Sequence, residues 1–593
     1  MRRPSGCTLE TSMSESNRYR THTCNELRLT DEGQRVTLVG FVEGSKMEGI
    51  AIDVRDRTGA TAARMPAKPA KALQATWDTL TPESVVQVTG RVHRREKRDH
   101  AMDTGEVLVI LEDLQLLSAA EPLPGELDLA TLPGEDRLRY RPLWLRRAKG
   151  QKMLATRSKL VSGIKASLFT HGFLEVETPV LGRLSADAVN SFVVPTGEGK
   201  AFSLPASGWA YRQALVAGGA EKFFQVARCF RRESGEGRQP ELSALELEIS
   251  YADEDDALKI LDDVLRTAIS AALEVDVPEV PRIGHAEALA KYGSATPDLR
   301  MALPILDAGT TMMALGSPEG TAAMGKGSGA ARAILIPGGV ERLGDGELDQ
   351  LTLALMRTRG SGFVATWLKH GRQTGRRGPG SFFFVANRAA DAMSTLGANE
   401  GDALVLVAAP GDAAAHEGAG ELRRLLIERI GPHEGTPFAL AWIREAPLFV
   451  KDAAGVVQAR RPPFTAPRES DLAALEKDPS SVKARSFDLV INGVEVGIGS
   501  VRIHDKELQA KMFAAHGLKP AEAERAWPQA AEALRFGIPP HTGFTLSLDR
   551  LVSLLTGSTL EDSIPFPKSA GGQDLLFESP SPLSTDSLRS ILG

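Results

Sequence analysis

The chain contains the stretch Phe230-Arg231-Arg232-Glu233, followed after a polar loop by Arg238-Gln239-Pro240-Glu241. Far downstream, Asp549-Arg550 precedes an apolar segment that is typical of a helix. Two guanidinium groups can hold phosphate oxygens through paired hydrogen bonds and neutralise charge that develops at phosphorus. A carboxylate beside them can accept a hydrogen bond from the amino group of adenine. Each stretch alone is a weak signal, but in this order they predict a site for a nucleoside triphosphate.

Composition indicates a multidomain globular protein. The chain has 593 residues, 42% of them hydrophobic and 25% charged, which exceeds a single core and is ordinary for globular proteins. Its cysteines, Cys7, Cys24 and Cys229, have neither disulfide nor zinc spacing, as in proteins of a reducing compartment. A net charge of −6 argues against indiscriminate nucleic-acid binding but leaves a local RNA-binding face open. Since no apolar run is long enough for a membrane span, we expect a cytoplasmic protein.

Three stretches along the chain resemble the signature motifs of class II aminoacyl-tRNA synthetases. The first, His171 to Leu181, reads as a helix followed by a strand that ends at Pro179. The second spans 224–248 and includes Arg231 and Glu233, and the third spans 539–557. Further similarity to the bacterial-type aspartyl branch lies in 292–300, 487–504 and 566–568. The resemblance is collinear from about Cys24 to about Pro582, and its details suggest a divergent paralogue.

This resemblance implies an α+β multidomain fold. It consists of an N-terminal OB-fold β-barrel, a catalytic domain built on the antiparallel sheet of class II synthetases, and an α+β insertion domain. Alternating apolar residues in 36–42, 50–54 and 84–90 independently indicate the short strands of a small barrel. The predicted boundaries are a disordered extension at 1–23, the OB-fold domain at 24–121, a hinge at 122–150, the first catalytic part at 151–284, the insertion domain at 285–425, the second catalytic part at 426–582 and a tail at 583–593.

The resemblance also implies an ATP site. Arg231 would contact the α-phosphate and Glu233 the adenine, while Arg550 would meet the terminal phosphates. Asp488 and Glu495, on neighbouring strand-like segments, would offer hard oxygen ligands to Mg²⁺. A surface ion pair or an exposed strand carboxylate is the alternative interpretation of each position, above all of Asp488.

Substrate contacts follow by position, and several differ from the family pattern. Arg212 stands where the family has a lysine, and Arg212 and Arg502 would hold a carboxylate-bearing amino acid. The other predicted substrate-binding positions are Asp187, Trp209, Glu246 and Arg461. In this chain, Ala206-Ser207-Gly208-Trp209 replaces the family's Gln-Ser-Pro-Gln stretch, and Ala244 and Glu246 replace a glutamine and an aspartate. Arg461-Pro462 replaces a paired histidine of the family, and Ile498 and Ser547 each replace a glycine.

The barrel departs from the family on its RNA-binding side. A base-stacking phenylalanine is replaced by Ala51 and a base-reading glutamine by Ala62, and the turn at 43–49 is shorter and less basic. Stacking and contacts to base edges carry much of single-stranded RNA recognition. We therefore expect weakened anticodon recognition, so that tRNA is one candidate acceptor and another amine is a second.

Two hypotheses remain from the sequence. In the first, the chain is an aspartate–tRNA ligase-like enzyme that uses ATP to activate aspartate or another acidic amino acid and passes it to tRNA or another acceptor. In the second, it is a non-catalytic, regulatory or self-resistance protein that keeps the fold, for which Ser547 and the altered motif-two loop are the main support. The resemblance further implies a homodimer whose interface contains Pro179.

Overall fold

The structure, a computed structural model, describes residues 17–586 apart from 47–49, 123–131, 133, 185–190, 198, 234, 236, 316–317, 325–328, 361, 372–374, 378–390, 392, 432–436 and 453. The chain separates into two compact units. The first comprises residues up to 155 with 565–569 and 573–580, and the second comprises 156–564 with 570–572 and residues from 581 onward.

The first unit contains a closed five-stranded barrel in which the strands follow the order β1-β2-β3-β5-β4. Valine and leucine at alternate positions turn inward from β1 and β4, so that Val36, Leu38, Val86 and Val88 are fully or almost fully buried. On the same unit, the buried carboxylate of Glu83 pairs with three arginines that include Arg55 at 3.0 Å. The strands are β1 (Arg35–Lys46), β2 (Ala51–Arg55), β3 (Ala60–Arg64), β4 (Val85–Arg94) and β5 (Val107–Ser118).

Within the described part of the second unit, an eight-stranded sheet has the order β11-β17-β20-β21-β22-β10-β9-β6. The two outermost pairs are parallel and the others are antiparallel. A two-stranded ribbon pairs β7 with β8, and another pairs β18 with β19. The strands are β6 (Leu174–Glu175), β7 (Val193–Gly197), β8 (Lys200–Ser203), β9 (Lys222–Phe230), β10 (Glu241–Ser250), β11 (Arg282–Gly284), β17 (Leu440–Arg444), β18 (Phe449–Lys451), β19 (Val457–Ala459), β20 (Ser486–Ile491), β21 (Val494–Val501) and β22 (His541–Ser547).

Between β11 and β17 the chain forms a separate five-stranded sheet with the order β12-β13-β16-β14-β15. Its apolar core includes Ile334, Trp367 and Val405 from the strands, and Leu348 and Leu422 from two helices. Its strands are β12 (Ile305–Asp307), β13 (Ala330–Ile336), β14 (Val364–Gly371), β15 (Gly375–Arg377) and β16 (Ala403–Ala409). With the barrel and the eight-stranded sheet, this confirms the predicted α+β fold class.

Helices connect the strands and cover the sheets. The helix Glu254–Leu273 begins at Asp253, whose carboxylate accepts hydrogen bonds from the amides of Asp255 and Asp256. In the part of the chain that the structure describes, no helix combines the length and the apolar character needed to cross a bilayer. One-turn helices lie at Asp136–Arg139 and Gly339–Arg342. The longer α-helices of the described residues are Lys71–Trp77, Arg141–Leu145, Ala148–Thr170, Trp209–Ala217, Glu254–Leu273, His285–Tyr292, Gly309–Leu315, Pro318–Met324, Asp345–Arg359, Asp412–Ile430, Lys506–Ala515, Pro520–Ala526, Pro528–Arg535 and Leu548–Thr556.

His285 should make the stability of the second unit depend on pH. Burial, with smaller contributions from Arg460 and Arg461, lowers the pKa of His285 to about 4. Below the unfolded pKa of about 6.5, the unfolded chain therefore binds a proton that the folded chain does not. The resulting loss of stability begins near pH 6.5 and reaches about 2 kcal/mol at pH 5.

The variant His285→Asn removes this titration. We expect its free energy of unfolding, measured by urea denaturation, to fall less between pH 7.5 and pH 5 than that of the wild type. Parallel pH dependences of the two proteins would contradict this assignment.

Candidate functional site

A cavity of about 1150 Å³ lies on one face of the eight-stranded sheet. It brings together nine of the site residues predicted from the sequence. Asp488 is not among the described residues that line it, and Asp187 lies outside the described part of the chain. The nine are Trp209, Arg212, Arg231, Glu233, Glu246, Arg461, Glu495, Arg502 and Arg550.

Strand alternation explains why this face is polar. Side chains two residues apart on a strand lie on the same face, so Glu246 and Glu248 of β10 lie together while Leu247 lies on the other face. In the register of the sheet, Glu246 pairs with Thr545 of β22, and Thr545 pairs with Ile498 of β21. Three neighbouring strands thus contribute to one cavity floor, in which Ile498 is an apolar residue beside Glu246 and Thr545.

Arg231 and Glu233 lie directly after β9, at the exposed end of the cavity. The amide of Arg231 donates to the carbonyl oxygen of Pro240, which ties the end of β9 to the start of β10. The guanidinium of Arg238 lies 3.8 Å from the carboxylate of Glu233. Both side chains of the predicted pair are exposed to solvent and line the cavity, so a ligand can reach them.

Arg550 is held at the start of the helix Leu548–Thr556. The hydroxyl of Ser547 caps this helix by accepting a hydrogen bond from the amide of Arg550 at 3.3 Å. The Arg550 guanidinium donates to the backbone oxygen of Glu495 at 3.2 Å. Next to it, the buried carboxylate of Asp549 accepts a hydrogen bond from the amide of Ser243 at 2.8 Å and pairs with Arg157 at 2.7 Å. Ser547, which replaces the family's glycine, therefore has a structural role.

Glu246 is fully buried and surrounded by donors. Its carboxylate accepts hydrogen bonds from the Ser207 hydroxyl and the Gln225 amide, each at 2.7 Å, and from the backbone amide of Gly208 at 3.2 Å. Arg212 lies 3.5 Å away. Burial alone would raise the pKa of Glu246, but Arg212 and the hydrogen bonds lower it below its usual value. Glu246 is therefore a carboxylate at neutral pH.

Glu248 lies between the two arginines expected to bind a substrate carboxylate. Its Oε1 atom is 2.9 Å from Nη1 of Arg212 and 3.8 Å from Nη2 of Arg502. Arg502 also donates to the Ser500 hydroxyl at 2.6 Å. The charges of both arginines are thus balanced by Glu246 and Glu248. Glu248 is a site residue that was not predicted, although its spacing of two from Glu246 on a strand is a usable signal.

Aromatic rings form one wall of the cavity. Trp209 stacks on Phe464 with ring centroids 4.0 Å apart, and Trp527 packs edge-on against both rings at 5.5 and 5.8 Å. The guanidinium of Arg502 lies 5.1 Å from the centre of the Phe464 ring. Phe464 and Trp527 come from distant segments and could not be assigned to this wall from the sequence. The wall reduces the volume available beside Arg212 and Arg502.

The predicted metal ligands, Asp488 and Glu495, have different surroundings. Asp488 of β20 is buried, and its Oδ1 atom accepts a hydrogen bond from Nη1 of Arg461 at 2.9 Å while its Oδ2 atom contacts Nη2. Glu495 of β21 is half-buried and lines the cavity. Among the described residues, no group of three or more histidine, cysteine, aspartate or glutamate side chains could hold a metal ion. Because the carboxylate of Asp488 already pairs with the guanidinium of Arg461, the two carboxylates do not fit a shared Mg²⁺ site.

In the barrel, the two positions at which the resemblance expects RNA-contacting side chains are buried. Ala51 and Ala62 are 4% and 6% exposed, and a methyl side chain offers neither a ring nor an amide to a base. Glu43, at the start of the shortened turn, pairs with Arg55 at 3.1 Å and with Arg147 at 2.8 Å. Residues 47–49 of that turn lie outside the described residues.

The first predicted motif carries an apolar surface. Leu174 is 62% exposed, and Val180 and Leu181 are about half exposed. Phe169, at the end of the preceding helix, is also exposed, although its ring packs edge-on against Phe224 of β9. Such a cluster is typical of a surface that another protein covers.

The sequence of the chain is similar to those of known tRNA ligases. A family model described as class II tRNA synthetases (D, K and N) matches residues 134–570. The chain is 35% identical over 590 residues to the aspartate–tRNA(Asp/Asn) ligase of Rubrobacter xylanophilus, covering 97% of each protein. It is also 35% identical to the aspartate–tRNA ligase of Geobacillus kaustophilus, covering 96% of this chain and 98% of that protein.

Solved structures show the same fold. The asparaginyl-tRNA synthetase of Pyrococcus horikoshii in complex with asparaginyl-adenylate matches with a TM-score of 0.56 and 18% identity, over 92% of this chain and 98% of that chain. The aspartyl-tRNA synthetase of Entamoeba histolytica matches with a TM-score of 0.54 and 16% identity, over 92% and 91%. The resemblance inferred from the sequence motifs is confirmed by these relatives.

Gly208 should be required for the hydrogen bonding of Glu246. A Cβ atom at this position would lie 2.5 Å from Nε2 of Gln225 and 2.7 Å from Oε2 of Glu246, closer than packed atoms tolerate. Gly208→Ala should therefore lower the free energy of unfolding by about 1–3 kcal/mol, because a buried carboxylate loses donors.

Gly346→Ala is the matched control, since a Cβ atom there would meet no atom within 4 Å. We expect it to be neutral or slightly stabilising in the same urea denaturation experiment. Equal losses of stability in the two variants would refute the role assigned to Gly208.

Proposed function

The chain belongs to the class II tRNA synthetases, and from this membership we propose that it is an aspartate–tRNA ligase-like enzyme that activates an amino acid with ATP. The observation that carries the proposal is that Arg231, Glu233 and Arg550 line the same cavity as Arg212 and Arg502. The first three have the chemistry to bind a nucleotide, and the last two have the chemistry to orient an acidic substrate.

The reaction requires no nucleophile from the protein. The α-carboxylate of the amino acid attacks the α-phosphorus of ATP in line, an aminoacyl adenylate forms, and pyrophosphate leaves. Arg231 would neutralise charge at the α-phosphate and Arg550 would hold the departing phosphates, while Glu233 would accept a hydrogen bond from adenine. Positioning and charge neutralisation then supply the catalysis.

The substrate should carry a carboxylate in its side chain. Arg212 and Arg502 lie on the cavity floor and are both more than 90% buried, so a carboxylate that reaches them is desolvated and faces two guanidinium groups. Trp209 and Phe464 limit its size. Aspartate fits these requirements best, and the relatives' names agree with it.

We propose tRNA as the acceptor, because the relatives that match over almost the whole chain are tRNA ligases. The buried Ala51 and Ala62 predict weaker recognition of the anticodon than a stacking ring would give. Another amine as acceptor remains the second candidate.

The non-catalytic hypothesis has lost part of its support. Ser547 was one of its two main supports, with the altered motif-two loop, and the hydroxyl of Ser547 caps the helix that carries Arg550. Because Ser547 helps to position Arg550, which we propose to bind phosphate, the serine at this position does not argue for a loss of function. The relatives favour a ligase as well.

Assembly, location and domain limits complete the proposal. The exposed apolar residues around Leu174 and Leu181 support a homodimer in which a second copy covers this surface. We also propose a cytoplasmic location, an insertion domain at 285–425 and a divalent ion that accompanies ATP.

ATP–pyrophosphate exchange tests the activity. With aspartate, we expect exchange by the wild type and a loss of about 10²–10³-fold in Arg231→Ala and in Arg550→Ala, because each removes charge stabilisation at a phosphate. Arg424→Ala is the control, since Arg424 is exposed and pairs with Glu428 on the next turn of its own helix.

The assay should include glutamate, asparagine and an uncharged amino acid. If neither aspartate nor glutamate supports exchange, the proposed activity is refuted and the non-catalytic hypothesis is favoured.

Light scattering tests the dimer. The wild type should have twice the chain mass of 63.5 kDa, and Leu174→Glu should shift it towards the monomer because it places a charge in an apolar interface. Phe536→Glu is the control: Phe536 is an apolar residue outside the first motif and is 75% exposed, against 62% for Leu174. This variant should leave the mass unchanged. A monomeric wild type would contradict the proposed assembly.

A further inference from the structure

The ion pair between Arg461 and Asp488 is buried at the edge of the cavity. Arg461 lines the cavity, and its side chain is 6% exposed, while that of Asp488 is 8% exposed. Both terminal nitrogens of the guanidinium contact the carboxylate, one with each oxygen. This two-pronged geometry is the strongest pairing that an arginine and a carboxylate can form.

The pair lies within electrostatic reach of Glu495. Asp488 and Glu495 lie on the paired strands β20 and β21, and the Arg550 guanidinium donates to the backbone oxygen of Glu495 at 3.2 Å. Two arginines, Arg461 and Arg550, are therefore present where the resemblance expects two carboxylates to hold Mg²⁺.

We propose that the Arg461 guanidinium takes the place of a divalent ion at Asp488, so that Glu495 alone is left to bind the metal that accompanies the nucleotide. The proposal rests on the proposed function only for the presence of that nucleotide. In this proposal, the side chain of Arg461 supplies the positive charge beside Asp488, at a position where the family has a histidine.

Two physical reasons support the assignment. Mg²⁺ requires ligand oxygens at about 2.1 Å in nearly octahedral geometry, and the two Asp488 oxygens already accept hydrogen bonds from Arg461. A divalent ion at either oxygen would also face the positive charge of the guanidinium in a site buried from water, where repulsion is strong. Glu495, in contrast, forms no ion pair with any residue that the structure describes, and it lines the cavity.

The decisive variant is the double substitution Arg461→Gln with Asp488→Asn. It removes one positive and one negative charge together, so that the net charge near Glu495 is unchanged and no buried charge is left alone. Mn²⁺ serves as the probe, and its binding is followed by the electron paramagnetic resonance signal of the free ion. Each protein is titrated with Mn²⁺ alone and with Mn²⁺ plus an ATP analogue that has a methylene group between the α- and β-phosphates.

We expect the double variant to bind Mn²⁺ as the wild type does, within about twofold. Glu495→Gln should weaken binding by about tenfold or more, the effect expected when a group that supports a metal is lost. Arg461→Gln alone should bind Mn²⁺ about tenfold more tightly than the wild type, because it frees Asp488 to act beside Glu495. A loss of tenfold or more in the double variant would overturn the proposal, as would unchanged affinity in folded Arg461→Gln.

A second Arg–Asp pair provides the matched control. Arg300 and Asp298 form a two-pronged pair at 2.6 and 3.1 Å in the region between β11 and β12. The variant Arg300→Gln with Asp298→Asn should leave Mn²⁺ binding unchanged. If no protein binds the nucleotide analogue, the proposed function fails while the titrations with Mn²⁺ alone still decide the role of Arg461.

Discussion

The cavity depends on the pairing of buried charges along β10. Glu246 and Glu248 lie on the same face of this strand and are fully buried, which would be costly without partners. Arg212 contacts both carboxylates, and Arg502 approaches the second. Because Arg212 comes from a helix and Arg502 from the segment after β21, the pairing fixes three elements to one another. The positions of these four charged groups on the cavity floor follow from this arrangement.

The same pairing sets the chemistry that the floor offers. Two arginines without acidic neighbours would bind almost any anion, including free phosphate. With Glu246 and Glu248 beside the two arginines, the net charge of the cavity floor is close to zero. A ligand that matches this floor must therefore present hydrogen-bond donors as well as hydrogen-bond acceptors. An amino acid does so, since its ammonium group and its carboxylates have opposite charges. The aromatic wall of Trp209, Phe464 and Trp527 then adds a limit on size.

Much of the fold and part of the site could be predicted from the sequence. Arg231, Glu233 and Arg550 lie in short motifs whose order along the chain is informative, and alternation within the strands indicated the barrel. The Arg461–Asp488 pair could not be predicted, because it joins residues 27 positions apart and each was interpreted by its own motif. The wall formed by Phe464 and Trp527 was missed for a similar reason, since contacts between distant segments leave no local pattern.

The cap on the helix Leu548–Thr556 has a consequence for nucleotide binding. Ser547 fixes the backbone of Arg550, and the Glu495 carbonyl oxygen fixes its guanidinium before any ligand is present. An arginine side chain that is free in solution loses about 2 kcal/mol of rotamer entropy when it is immobilised. Here part of that loss occurs during folding, so that less of it opposes the arrival of a triphosphate.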